Sequence, residues 1–125
     1  MLCMAAKINY MFFKRKKLQW YMIFGSVDKA RELVPLNRTA RVDVDGKMLC
    51  LARTESGFFA TDEKCPHQKL PLTHGGICEN GTLVCPFHRY AWDLKTGREV
   101  ERREVNIQLY PVEERAEGLF VGIER

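Results

Sequence analysis

Two short segments of this chain each offer one thiolate and one imidazole: Cys65-Pro66-His67 and Cys85-Pro86-Phe87-His88, with seventeen residues between them. Each carries a proline directly after its cysteine. Thiolates stabilise ferric iron and suit iron–sulfur clusters. Two cysteines and two histidines are the donor set of a [2Fe-2S] cluster in which imidazole replaces two of the four thiolates. Two ferric ions, two sulfides and two thiolates sum to zero charge, so reduction takes such a site only to −1. An all-thiolate cluster would pass from −2 to −3. Adding an electron to the neutral site is easier, which raises the reduction potential. A mononuclear zinc site is the rival for the same residues. Zinc sites of the Cys₂His₂ kind group Cys with Cys and His with His, whereas each segment here mixes the two. A zinc-stabilised interaction module stays as the alternative of a different functional class.

Ligand loops of this kind need a rigid frame, and the pattern around them is of β type. Leu18 to Phe24 reads as a first strand and Asp28 to Leu33 as a helical turn. Arg41 to Val44 alternates, Asp45-Gly46 turns the chain, and Lys47 to Arg53 returns. Asp-Gly between two such runs is a strong hairpin signal. Glu55-Ser56-Gly57 turns again into Phe58–Thr61. A stretch holding Gly75, Gly76 and Gly81 separates the two ligand segments. Thr82–Val84 leads into the second segment and Tyr90–Leu94 leaves it. Val105, Ile107 and Leu109 alternate with polar residues, and Leu119–Ile123 closes the chain. Eight or so short strands predict an all-β antiparallel sandwich or barrel.

The chain has 125 residues, 46% of them hydrophobic, which suits one domain with one modest core. We expect a basic and apolar tail over residues 1–17 and a domain over 18–125, with cluster-binding loops at about 63–95. The tail runs apolar first, then Lys14-Arg15-Lys16-Lys17. A secretory signal has the opposite order. No run approaches the roughly 18 apolar residues of a membrane span. A net charge of +4 is too mild to imply nucleic acid. Of five cysteines, Cys3, Cys50 and Cys78 are left over with no evident pairing, which points to a reducing compartment and a cytoplasmic protein. His74 reads as a loop residue and Cys78 as a packed or free thiol. Trp20, Tyr21 and Trp92 read as core.

Cys65-Pro66-His67-Gln68, Cys85-Pro86-Phe87-His88, Trp92-Asp93-Leu94 and Thr96-Gly97 resemble the two motifs of Rieske-type ferredoxins and of the Rieske domains of ring-hydroxylating oxygenases. The resemblance covers residues 20–124 in layout and about 35 residues in detail. It implies three stacked antiparallel sheets with a small cluster-binding subdomain. It also implies that Cys65 and Cys85 bind the inner iron of one [2Fe-2S] cluster and that His67 and His88 bind the outer one. Rieske proteins of cytochrome bc-type complexes carry a disulfide and two hydroxyl donors near the cluster. Leu70, Phe87, Tyr90 and Trp92 stand at those positions here, and in this the chain resembles the low-potential, soluble ferredoxins. Many relatives have glycine where this chain has Lys69 and Arg89, and the two cations could form a basic collar for an acidic partner.

The function implied is an electron carrier, not itself an enzyme. It would take one electron from a flavin- or NAD(P)H-dependent ferredoxin reductase and pass it to an oxygenase or similar acceptor. The small Rieske subunit of a multi-subunit reductase, of the assimilatory nitrite reductase type, is the alternative. No nucleotide-binding glycine motif and no mononuclear iron triad is evident, and no nucleic acid partner is expected.

Overall fold

Turn chemistry divides this chain into short antiparallel strands. The structure, a computed structural model, describes residues 17–66, 69–87, 89–103 and 106–125. β1 (Leu18–Phe24) leads into α1 (Val27–Leu33), a seven-residue helix. Ser26 caps it by accepting a hydrogen bond from the Lys29 N–H at 3.0 Å. β2 (Thr39–Val44), β3 (Lys47–Thr54) and β4 (Gly57–Asp62) form a meander. Asp45 and Gly46, with φ of 53° and 86°, make the first tight turn as the sequence predicts. β5 (Ile77–Glu79), β6 (Thr82–Val84) and β7 (Ala91–Asp93) form a second, smaller meander. β8 (Leu109–Tyr110) joins β4, and β9 (Val112–Arg115) with β10 (Gly118–Glu124) closes the fold.

Three antiparallel sheets result, in the orders β1-β10-β9, β2-β3-β4-β8 and β5-β6-β7. Side chains on a strand alternate between its faces, and β3 uses both. Leu49 and Leu51 pack toward β10, in clusters with Val121, Ile123 and Leu119. Cys50 and Ala52 pack the other way, with Leu72, Cys78, Leu83 and Trp92 around the small sheet. The four-stranded sheet is therefore the middle layer of three, and the stacked antiparallel arrangement is as expected.

The details differ in three places. β5 and β9 were not expected as strands. β5 is three residues long, but the Asn80-Gly81 turn that follows it, with φ of 51° and 78°, is a hairpin signal in its own right. β9 reads Val-Glu-Glu-Arg and has no alternation; its pairing with β10 makes it a strand. The strand expected over Val105–Leu109 is replaced by irregular backbone over 106–108, and Val105 lies outside the described residues. Ile107 is nonetheless buried between exposed Asn106 and Gln108, and its N–H donates to the Gly97 carbonyl at 2.8 Å. The alternation marked burial, while the hydrogen bond went to a turn instead of a strand. Trp20 and Tyr21, expected in the core, are half-buried because β1 is an edge strand; Trp92 is fully buried.

Candidate metal centre

Cys65 and Cys85 each open a hairpin-like loop, and the two loops are built alike. In the first, the Cys65 N–H donates to the Leu70 carbonyl at 2.8 Å, and the Lys69 N–H donates to the Cys65 carbonyl at 2.7 Å. In the second, the Cys85 N–H donates to the Tyr90 carbonyl at 2.7 Å, and the Arg89 N–H donates to the Cys85 carbonyl at 2.9 Å. Each loop thus closes on its cysteine from four and five residues downstream. Closure requires a left-handed residue in the same place, and Lys69 (φ 61°) and Arg89 (φ 57°) supply it. Glycine adopts this conformation most easily. The sequence departs from glycine there, yet the backbone geometry is kept.

Below each tip the strands are tied together. Lys64 bridges to Pro71, and the Leu72 N–H donates to the Glu63 carbonyl at 2.8 Å. Val84 pairs with Ala91 under the second tip. The thiols of Cys65 and Cys85 are buried, at 0% and 1% exposure, in one apolar cluster with Leu72, Leu83, Trp92 and Leu94. Two buried thiols at matched loop tips suit the thiolate half of the donor set. The histidines His67 and His88 lie outside the described residues, as do Gln68 and the tail residues 1–16 with Cys3. His74 is on an exposed turn. Cys50 and Cys78 are buried, and burial pushes their thiols up to about 12 and about 11. Both are protonated packing groups at neutral pH.

The surroundings of the two tips differ. Beside the second, Glu99 is buried, and its side chain has no exposed surface. Burial alone would raise its carboxyl pKa. Hydrogen bonds from the Arg103 guanidinium and from the N–H groups of Arg103, Ala91 and Glu101 outweigh that and hold it at about 2. Arg103 lies 3.0 Å from the carboxylate and over the Tyr90 ring, 4.2 Å from its centroid. One carboxylate therefore holds the residues that leave the second loop. No sequence signal marks Glu99, since it stands in a charge-dense run, Arg98 to Arg103, that reads as solvated surface. Arg89 pairs with Glu79 at 3.5 Å, and exposed Phe87 forms part of the tip. Lys69, at the first tip, is exposed and makes no ion pair among the described residues.

The family model described as Rieske [2Fe-2S] domain matches residues 19–111. Among curated relatives, the ferredoxin component of an alkene monooxygenase system from Xanthobacter autotrophicus is 29% identical over 82 residues, covering 66% of this chain and 67% of that protein. The ferredoxin component of a naphthalene 1,2-dioxygenase system from Pseudomonas aeruginosa is 30% identical over 91 residues, covering 72% and 86%. Among solved structures, a protein assigned as the small subunit of an NADH-dependent nitrite reductase from Mycobacterium tuberculosis superposes with a TM-score of 0.72 at 20% identity, covering 87% of this chain and 98% of that one.

Proposed function

This chain belongs to the family of Rieske [2Fe-2S] domains, and on that premise we propose that Cys65, His67, Cys85 and His88 hold one [2Fe-2S] cluster in a carrier of single electrons. The donor would be a flavin- or NAD(P)H-dependent ferredoxin reductase, and the acceptor an oxygenase or similar enzyme. The observation that supports this most is the matched pair of loop tips, each with a buried cysteine at the same point of the same backbone frame. When bound, such a cluster accepts and releases one electron without a change of ligands.

The residues of the chain have separate parts in this. Cys65 and Cys85 supply two negative charges from within an apolar cluster that keeps water away from the sulfur side. Lys69 and Arg89, in left-handed backbone, close the loops so that each cysteine stays where its hairpin puts it. Glu99 and Arg103 keep the second loop's exit fixed, and a fixed frame lowers the reorganisation that accompanies a change of charge. Phe87 and Pro86 are exposed at the second tip and offer a partner an apolar approach to the site.

In this reading residues 18–125 make up the electron-carrying domain, 1–17 are a tail, and the protein works in the cytoplasm. Among the described residues no helix is long and apolar enough to cross a membrane. The reading as a free carrier is favoured over a reductase subunit by the relatives named as ferredoxin components. The likeness to the nitrite reductase subunit, at 20% identity, is a likeness of fold. Anaerobic purification from iron-replete cells tests the proposal. A red-brown protein with two irons and two acid-labile sulfides is expected. A colourless protein with one zinc would overturn it in favour of an interaction module.

A further inference from the structure

We propose that an open groove beside the first ligand loop is the docking site for an acidic segment of the redox partner. The proposal rests on the electron-carrier reading and adds the chemistry of what that carrier binds. The groove has a volume of about 820 Å³ and runs from Pro66 and Lys69, on the loop, to the turn between β2 and β3. Four cations line it: Arg41 from β2, Lys47 from the start of β3, and Lys64 and Lys69 from either side of the first ligand pair. They come from separate parts of the sequence, and the fold brings them to one rim. All four are exposed, and among the described residues none forms an ion pair. The nearest aromatic contact is Lys47 over the Tyr110 ring at 5.6 Å.

The groove also holds two carboxylates, and both are engaged. Asp62 accepts from the Tyr110 hydroxyl at 2.6 Å. Glu63, buried, accepts from the Thr73 hydroxyl at 2.7 Å. Four cations less two carboxylates leave +2, carried on the open rim. The Met48 side chain, 44% exposed, adds an apolar patch to the lining. On the other tip, Arg89 is already paired with Glu79. Of the two loop-tip cations, Lys69 is therefore the one with no ion pair among the described residues.

A concave cationic channel with an apolar patch suits a chain that alternates acidic and apolar groups. An extended protein segment can place its carboxylates against the four cations and avoid Asp62 and Glu63. A phosphate backbone carries its charge at every step and would meet both, and a membrane surface cannot enter a groove. Exposed charges of this kind act mainly on the rate of encounter, and salt screens them.

A fluorescein-labelled peptide of ten Glu-Val repeats, which alternates acidic and apolar side chains, is the probe, titrated by anisotropy into the cluster-loaded protein at low ionic strength. Lys47→Glu/Lys64→Glu/Lys69→Glu should weaken binding about tenfold or more. Lys29→Glu/Lys95→Glu/Arg98→Glu changes the net charge equally, lines no part of the groove, and should weaken it about threefold at most. Equal losses in the two variants would overturn the site and leave only net charge. The milder Lys64→Gln/Lys69→Gln pair should give the same ordering and carries the comparison if the triple variant does not fold. Saturating peptide should also lower the midpoint potential of the wild-type protein, because nearby negative charge opposes reduction; an unchanged potential would place the peptide away from the loop and overturn the proposal. Tighter binding, at matched charge, of a ten-nucleotide oligothymidine or of phosphatidylserine vesicles would overturn the choice of occupant. The visible spectrum separates the two readings. Wild-type protein without a cluster spectrum would sink the electron-carrier function, whereas normal spectra with unaltered binding in the groove variants would sink the groove alone.

Discussion

The two ligand loops have one backbone design and two different settings. Both close on a buried cysteine through the same pair of hydrogen bonds and the same left-handed cation. The second is held from behind by a buried carboxylate that accepts from three backbone N–H groups and a guanidinium, and its cation is paired. The first borders an open groove, and its cation is unpaired among the described residues. The backbone design is shared, and the surroundings differ: one loop is tied to a buried carboxylate, and the other opens on a cation-lined groove.

The largest effect should come where the loops are equivalent. Cys65→Ser, Cys85→Ser, His67→Ala and His88→Ala should each abolish the assembled cluster, read by visible and electron paramagnetic resonance spectra. His74→Ala and Cys78→Ser should keep it. Loss from one loop only would show that the two tips are not equal partners.

Glu99 should mark the second loop as the held one. Glu99→Leu leaves three backbone N–H groups and Arg103 without their acceptor and should cost about 3 kcal/mol in urea melts. The carboxyl pKa, about 2 in the fold, lies below its ordinary 4.5. Its contribution is therefore fully present above pH 4.5 and is lost as pH falls toward 2. Glu99→Gln should remove this part of the acid sensitivity. A wild type and a Glu99→Gln variant with parallel stability curves between pH 6 and 3 would refute the clamp.

The midpoint potential should lie below about zero and near −150 mV, the lower end for centres of this type. Voltammetry giving about +300 mV would refute the assignment to the low-potential class. The cations offer a finer comparison. Lys69→Glu should slow electron exchange with the natural reductase several-fold at low salt, whereas Arg89→Glu should slow it less, since Glu79 already offsets Arg89. Equal effects would mean that the Glu79 pair does not offset Arg89. The smallest effect is conformational: Lys69→Gly should change stability by no more than about 1 kcal/mol, because relief at positive φ offsets the added freedom of the unfolded chain. Lys69→Val should be clearly worse.

How far the sequence revealed this molecule depends on how local each cause is. The Asp45-Gly46 turn, the helical turn expected over Asp28 to Leu33 and the two loops at Cys65 and Cys85 depend on neighbours in the chain and could be read directly, although the Ser26 cap was not among the signals used. The fold class followed from them. Asn80-Gly81 carries the same kind of signal as Asp45-Gly46 and marks the turn between β5 and β6. β9 could not be read, because its pairing with β10 and not its own pattern makes it a strand. Glu99 and the cationic groove are harder still. A buried glutamate and an exposed one look alike in a charged run, and Arg41, Lys47, Lys64 and Lys69 meet only after three segments have folded together. Lys69 and Arg89 stand where many relatives have glycine, and both take the left-handed conformation that glycine adopts most easily, which their charge in the sequence does not reveal.

The middle layer has one further consequence. β3 is covered on both faces, by β10 and its neighbours on one side and by the small sheet on the other. Its amides are shielded by apolar packing on both faces, so opening one face still leaves the other in place. Solvent exchange of the amide protons at Leu49, Cys50, Leu51 and Ala52 should therefore be the slowest in the protein and should require unfolding of the whole. Stripping the metal should accelerate exchange in β5, β6 and β7, whose packing includes both ligand cysteines, and leave the β3 amides slow. The chain would then fold first as a sandwich that waits for its iron.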